Sequence, residues 1–223
     1  MHMIIDLNLK GRQVVVVGGG REATRKVDAL LLQDCEILVV AGNFSDEISA
    51  WEKEGRLSLR KEMVSGGEFL SDHDRLILVI AATDDKPLNR KIVESAKKLR
   101  CYAYAVDDPE VSDFHHPSVL NVKDTVQIAI STSGKSPLMA KQLRKKIEPA
   151  LNDLIQPDDI LKIHLLHRLR EKAKSFLPNS DERKQFFESI LCNEEINRLL
   201  AQDKLPEAET LALKILKTPR QKE

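Results

Sequence analysis

Residues Gly18-Gly19-Gly20-Arg21-Glu22-Ala23 fit the pattern G-x-G-x-x-G/A, the turn that brings a backbone against a dinucleotide pyrophosphate. Gly18 allows a tight turn out of a strand. Gly20 lets the backbone approach phosphate with no Cβ in the way. Ala23 is small enough for a helix to lie close on the sheet, and free N–H groups at the helix start would meet the negative charge. A tight turn with no ligand could use the same glycines. The β-branched run Gln13 to Val17 and the amphipathic stretch Arg21 to Leu32 supply the strand and helix that the cofactor reading requires. The end of the second strand reads Val39-Val40-Ala41-Gly42-Asn43. It has neither the acid that usually holds a ribose diol nor an Arg for a 2′-phosphate. Adenosine is therefore expected to rest on backbone and on Asn43, and the choice between NAD and NADP stays open.

Ligands of such a sheet gather at the carboxyl ends of its strands, and two further ends carry acids. Thr83-Asp84-Asp85 leads into a helix, so Asp85 reads as a cap. Asp107-Asp108-Pro109 leads into no clear helix. A carboxylate there could be a general base beside a nicotinamide, or it could close an Asx-turn. A second polar loop, Ser131-Thr132-Ser133-Gly134-Lys135-Ser136-Pro137, runs into a helix start. It could bind an anionic group, or Ser136 could serve as a plain N-cap. Its Gly and Lys spacing is not that of a Walker A loop. His115 and His116 are neighbours that point different ways, with no other His or Cys at ligand spacing, so no metal site is expected. His164 and His167 share one face of a basic helix that reads as solvated.

These groups need a scaffold. Strands are predicted at 13–17, 36–41, 57–60, 75–82 and 101–106, alternating with helices at 21–32, 45–54 and 87–99. The alternation implies a doubly wound parallel sheet with right-handed crossovers. The pattern then changes to two strands, 119–122 and 125–131, about a turn at Lys123-Asp124, followed by a helix from Leu138 to Leu154. Past Gln156-Pro157 the chain reads as helices at 158–176, 180–192, 193–202 and 206–217, with a frayed end from Thr218 to Glu223. The expected fold is α/β. A Rossmann-type sheet spans 1–112, a small α+β module 113–150, and a C-terminal helical domain 151–223.

Composition narrows the function classes. Of 223 residues, 4 % are aromatic, so aliphatic side chains must fill the core. Lys plus Arg equals Asp plus Glu, at 35 each. This argues against binding nucleic acid or a membrane surface through bulk charge. No apolar run approaches the ~18 residues of a membrane span. The start, Met1 to Asp6, lacks a signal-peptide pattern, and Cys35, Cys101 and Cys192 are scattered and odd in number. A cytoplasmic protein without a disulfide framework is expected. Cys35 and Cys101, beside strands, read as small buried residues.

Several pieces taken together resemble a known family. They are Asp6-Leu7 with Gly11-Arg12, the Val-Val-Gly-Gly-Gly turn with Arg25-Lys26, Ala81-Ala82-Thr83-Asp84-Asp85 with Asn89, and Val106-Asp107-Asp108-Pro109 with Phe114 and Pro117. The last is Ile128-Ala129-Ile130 followed by the Ser131–Pro137 loop, Leu143-Arg144 and Ile147-Glu148. Their order and spacing resemble precorrin-2 dehydrogenase/sirohydrochlorin ferrochelatase, the dehydrogenase–chelatase part of siroheme synthase. The likeness runs from about residue 4 to 150 and continues more loosely from Arg168 to Leu200.

The resemblance implies NAD-dependent oxidation of precorrin-2 to sirohydrochlorin. In some members it also implies insertion of ferrous iron as a second substrate. It makes Asp107 the catalytic residue. Gly18, Gly20, Arg21, Glu22, Gly42, Asn43 and Thr83 become cofactor contacts, and Ser131, Thr132, Lys135 and Ser136 substrate contacts. Thr132 matches a position where some relatives carry a phosphorylatable serine. The substrate is a polycarboxylate, for which Lys135, Lys141, Arg144, Lys145 and Lys146 are candidates; for Lys145 and Lys146 a solvated helix face is the preferred reading. A homodimer that exchanges contacts through the middle segment is also implied. One departure stands out. Ala103-Tyr104-Ala105 replaces a stretch where relatives often place Asn two residues before the Val-Asp pair.

Overall fold

The computed structural model describes residues 3–218; the first two residues and the expected frayed residues 219–223 lie outside them. The chain divides into two compact units, Met1–His116 and Pro117–Glu223.

The first unit is a five-stranded parallel sheet. Its strands are β1 (Gln13–Val17), β2 (Glu36–Ala41), β3 (Ser58–Lys61), β4 (Leu76–Ala81) and β5 (Tyr102–Ala105), in the order β3-β2-β1-β4-β5. The helices are α1 (Arg21–Leu30), α2 (Asp46–Lys53) and α3 (Lys86–Lys98). The continuous apolar run of β1 follows from burial on both faces. Val14 and Val16 pack with Ala23 and Val27 of α1 and Ile48 of α2. Val15 and Val17 face the other way, with Ile92, Val93 and Ala96 of α3. Leu78 and Ile80 of β4 join the first layer, and Val79 and Ala81 the second. This is the doubly wound arrangement the alternation predicts.

Two local differences from the expected elements have simple causes. The first helix stops at Leu30 and not at Leu32, because the Gln33 N–H turns back to the Leu30 carbonyl at 2.8 Å. Cys101 is buried as expected, whereas Cys35 is only half-buried. The edge of β5 is closed by its own downstream loop. Asp113 accepts from the Ala103 N–H (2.9 Å), Ser112 accepts from the Ala105 N–H (3.0 Å), and the Asp113 N–H donates to the Ala103 carbonyl (2.8 Å). The loop thus uses up the backbone groups that an edge strand leaves open.

The second unit opens with an antiparallel hairpin, β6 (Ser118–Val122) and β7 (Val126–Ile130). Its turn residues Lys123 and Asp124 both take positive φ, 49° and 52°, within the three-residue connection 123–125 that the pairing of Val122 with Val126 leaves between the strands. The helix α4 (Pro137–Leu154) is capped by Ser136, which accepts from the Met139 N–H at 3.2 Å. Leu151 of α4 packs with Leu120 and Val122 of the hairpin. Four helices follow: α5 (Pro157–Phe176), α6 (Ser180–Leu191), α7 (Glu194–Ala201) and α8 (Leu205–Lys217). They bury Leu165, Leu169, Phe186, Ile190, Ile196 and Leu200 against Ala208 and Ala212. Glu209 of α8 ties α5 through Lys172 (2.9 Å) and Arg168 (3.3 Å). Among the described residues no helix is long and apolar enough to cross a membrane.

Candidate active site

The strand order reverses between β1 and β4, which places the ligand crevice at their carboxyl ends. The glycine turn sits there. Gly18 has φ +122°, and a Cβ on it would lie 2.3 Å from the Ala82 carbonyl oxygen, so no other residue fits between the ends of β1 and β4. Gly19 is equally constrained: its Cβ would fall 2.0 Å from the Asn43 oxygen. Gly19 is an open position of the motif, because its constraint comes from a loop 24 residues further on. Gly20 is the N-cap of α1, with no side-chain cap, and a Cβ there would meet nothing within 4 Å. The chain's own packing therefore does not demand glycine at 20, and the helix start is left to an anion. These residues fit a dinucleotide pyrophosphate.

The turn is braced on its β2 side. The Ser45 N–H donates to the Gly19 carbonyl (2.9 Å), and the Thr24 and Ser45 hydroxyls meet at 2.9 Å. On the β4 side a polar chain runs on to Asp107. Asn89 of α3 is fully buried. Its Oδ1 accepts from the Thr83 hydroxyl (2.7 Å) and N–H (3.1 Å), and its Nδ2 donates to the Thr83 carbonyl and to Asp107 Oδ1, both at 3.0 Å. Asn43, Gly19, Gly18, Thr83, Asn89 and Asp107 thus form one continuous row across the ends of β2, β1, β4 and β5. Asn89 enters the sequence reading only through the family resemblance; its role of joining two strand ends depends on partners in other segments, which local pattern does not report.

The two acids after β5 divide their roles. Asp107 is exposed, with Asn89 holding one oxygen. Asp108 is 3 % exposed and pairs with Arg90 at 2.5 Å and with Lys86 at 3.8 Å. The Arg90 hydrogen bond holds its carboxyl below the usual carboxylate range, against the effect of burial. Near Asp107 lies an aromatic and cationic cluster. Lys26 of α1 is 6 % exposed, and its ammonium lies 4.6 Å over the Tyr104 ring. Burial, then the neighbouring Arg25, lowers its pKa to about 8, with Glu22 acting the other way. Burial also raises the Tyr104 phenol. His116 meets Tyr104 edge-on at 4.8 Å. The residue keeps exposed surface, yet desolvation and then Lys26 and Arg25 lower its pKa to about 4.

Arg21 is exposed and Glu22 half-buried on the first turn of α1, where Glu22 pairs with Arg25 at 2.9 Å. Gly42 and Asn43 follow β2 directly. Ser131, Thr132, Lys135 and Ser136 belong to the second unit. There the Thr132 hydroxyl accepts from the Ser136 N–H at 3.0 Å, and Ser131 Oγ accepts from the Ser133 N–H at 3.1 Å, which leaves Lys135 at an exposed loop tip. Arg144 pairs with Glu148 at 3.6 Å. Among the described residues no group of three or more His, Cys, Asp or Glu could hold a metal ion.

The family model described as putative NAD(P)-binding matches residues 5–118, just over half of the chain. The chain belongs to this NAD(P)-binding family. Two further models, for the central region of sirohaem biosynthesis proteins and the dimerisation region of sirohaem synthase, match residues 123–149 and 163–216. The siroheme synthase of Actinobacillus pleuropneumoniae serotype 3 is 31 % identical over 94 % of the chain and 41 % of its own length. That of Neisseria meningitidis serogroup C is 36 % identical over 82 % and 36 %. Siroheme synthase 2 of Cronobacter sakazakii is 34 % identical over 91 % and 42 %. The chain therefore spans about two-fifths of the length of the curated relatives it matches. A solved precorrin-2 dehydrogenase superposes with TM-score 0.66 at 25 % identity, over 96 % of this chain and all of that one. The family resemblance and the fold class expected from the motifs are borne out.

Proposed function

We propose that this NAD(P)-binding chain oxidises precorrin-2 to sirohydrochlorin with NAD, in siroheme biosynthesis. The observation that carries the reading is the row from the glycine turn through Thr83 and Asn89 to an exposed Asp107. Bound NAD supplies the hydride acceptor. The chain's own groups do the rest. Gly18, Gly20, Arg21 and Glu22 seat the pyrophosphate, Gly42 and Asn43 the adenosine, and Thr83 lines the crevice. Asn89 keeps the Asp107 carboxylate aimed outward, where it takes the proton that leaves precorrin-2 along with the hydride. Thr132 and Ser136 hold the second loop in shape, and Ser131 and Lys135 offer a hydroxyl and a cation to substrate carboxylates. Residues 113–150 act as the dimerisation and substrate module, next to the helical domain 151–223. In a homodimer the partner copy covers Met139, Leu143 and Ile147, which recur every fourth residue on α4 and are 44, 37 and 37 % exposed. The proposed setting is the cytoplasm.

Purified protein mixed with precorrin-2 and NAD should give the sirohydrochlorin spectrum and NADH in equal amounts. NAD binding without turnover would instead favour a nucleotide-sensing protein. Ferrous-iron insertion is a separate activity of the same exposed carboxylate, which could take protons from pyrrole nitrogens. Sirohydrochlorin and ferrous ion supplied without NAD, compared with the uncatalysed rate, test it.

A further inference from the structure

We propose that Glu62, delivered by β3 and not by β2, holds the adenosine ribose and makes the site choose NAD over NADP. This rests on the dinucleotide reading above.

The usual place for a ribose-binding acid is the end of β2, and this β2 ends Val40-Ala41-Gly42-Asn43 with no acid. Its parallel neighbour supplies one. Val40 registers with Arg60 and Ala41 with Lys61. One residue further, the Glu62 N–H donates to the Ala41 carbonyl at 3.0 Å. Glu62 therefore stands level with Gly42, one strand spacing away, or about 4.8 Å. The space a side chain at Gly42 would take is filled by Met63, whose sulfur lies 2.2 Å from where that Cβ would be.

The geometry at Glu62 is set by the strand that it follows. Arg60 Nε donates to Glu62 Oε2 at 2.5 Å, and the Arg60 guanidinium lies 5.3 Å from the ring centroid of Phe69, itself buried. The carboxylate is thus oriented, yet its side chain remains 43 % exposed. It can accept from both hydroxyls of a ribose diol. A 2′-phosphate in that place would face a carboxylate of like charge. Arg60, the cation that could otherwise welcome the phosphate, is already engaged. Lys61, exposed on the same strand, is a basic neighbour that works against the choice. Met63 is 84 % exposed and adds apolar surface at the edge where adenine would lie. None of this is apparent at the end of β2 alone, because the cross-strand register is not visible in the sequence.

The test is calorimetric binding of NAD and NADP, separately, to the full chain and to Glu62→Gln and Glu62→Asp. The parent should bind NAD at least tenfold more tightly. Glu62→Gln should bring the two affinities within about threefold, with part of the change a gain for NADP, while Glu62→Asp keeps the preference. Unchanged discrimination in Glu62→Gln, with unaltered circular dichroism, would overturn the proposal, and so would a parent that binds both equally. A parent that binds neither dinucleotide refutes the cofactor reading of the glycine turn itself.

Discussion

Strands β4 and β5 lie side by side in the sheet, and each is followed by an Asp-Asp pair, at 84–85 and 107–108. In both pairs one carboxylate is used by the fold and the other is left exposed. After β4 the fold takes the second residue: Asp85 accepts from the Leu88 N–H at 3.0 Å and caps α3. After β5 it again takes the second, but differently, burying Asp108 against Arg90 of the same helix. The two exposed members then diverge. Asp84 is exposed with no side-chain hydrogen bond or ion pair among the described residues, whereas Asp107 is gripped by Asn89, which is buried between the two strand ends. A carboxylate becomes useful for proton transfer when a rigid donor fixes its direction while one oxygen stays accessible, and only Asp107 meets both conditions.

The comparison breaks first at Asp107. Asp107→Ala should lower kcat for precorrin-2 oxidation by at least about 100-fold while leaving NAD affinity and melting temperature near the parent values, because the side chain is exposed. Normal turnover in that variant would remove the base from this position. Asp108→Asn should do the reverse: activity persists in the folded fraction, and the protein melts earlier at pH 7. The pH dependence follows from the direction of its shift. A carboxyl whose pKa is lower folded than unfolded stabilises the fold fully above the unfolded value of about 3.9, and that contribution is lost as pH falls through the folded one. The melting difference between parent and Asp108→Asn should therefore be full at neutral pH and close only below about pH 4. A gap that does not change with pH would show that Arg90 gains nothing from the charge.

The elements around these residues were legible because they depend on local signals. Continuous Val runs, Asp85 and Ser136 as caps, and the Lys123-Asp124 turn each act over a few neighbours. The glycine turn was legible for the same reason. What stayed hidden depends on groups far apart in the chain. Gly19 is constrained by Asn43, Asn89 links residues 83 and 107, and Lys26 meets Tyr104 from another element. Nothing near Lys26 in the sequence indicates the aromatic ring that its ammonium lies over. Tyr104 stood out only as a departure from relatives. The structure gives it partners in Lys26, Phe114 and His116.

The smallest effect is expected at the other pair, and it tests whether the two strand ends are coupled. Asp85→Ala removes the cap of α3 and should cost about 1 kcal/mol of stability; Asp84→Ala should stay within about 0.5 kcal/mol. The cap has a second consequence, because Asn89 lies in the first turn of the same helix and its N–H donates to the Asp85 carbonyl at 2.9 Å. Fraying there would loosen the amide that aims Asp107. Asp85→Ala should therefore lower kcat roughly twofold to threefold with KM unchanged, and Asp84→Ala should not. Asp85→Asn, which caps without charge, should restore both stability and kcat. Loss of stability with no change in kcat would mean that Asn89 is held by Thr83 alone, and that the β4 pair plays no part in positioning the acid after β5.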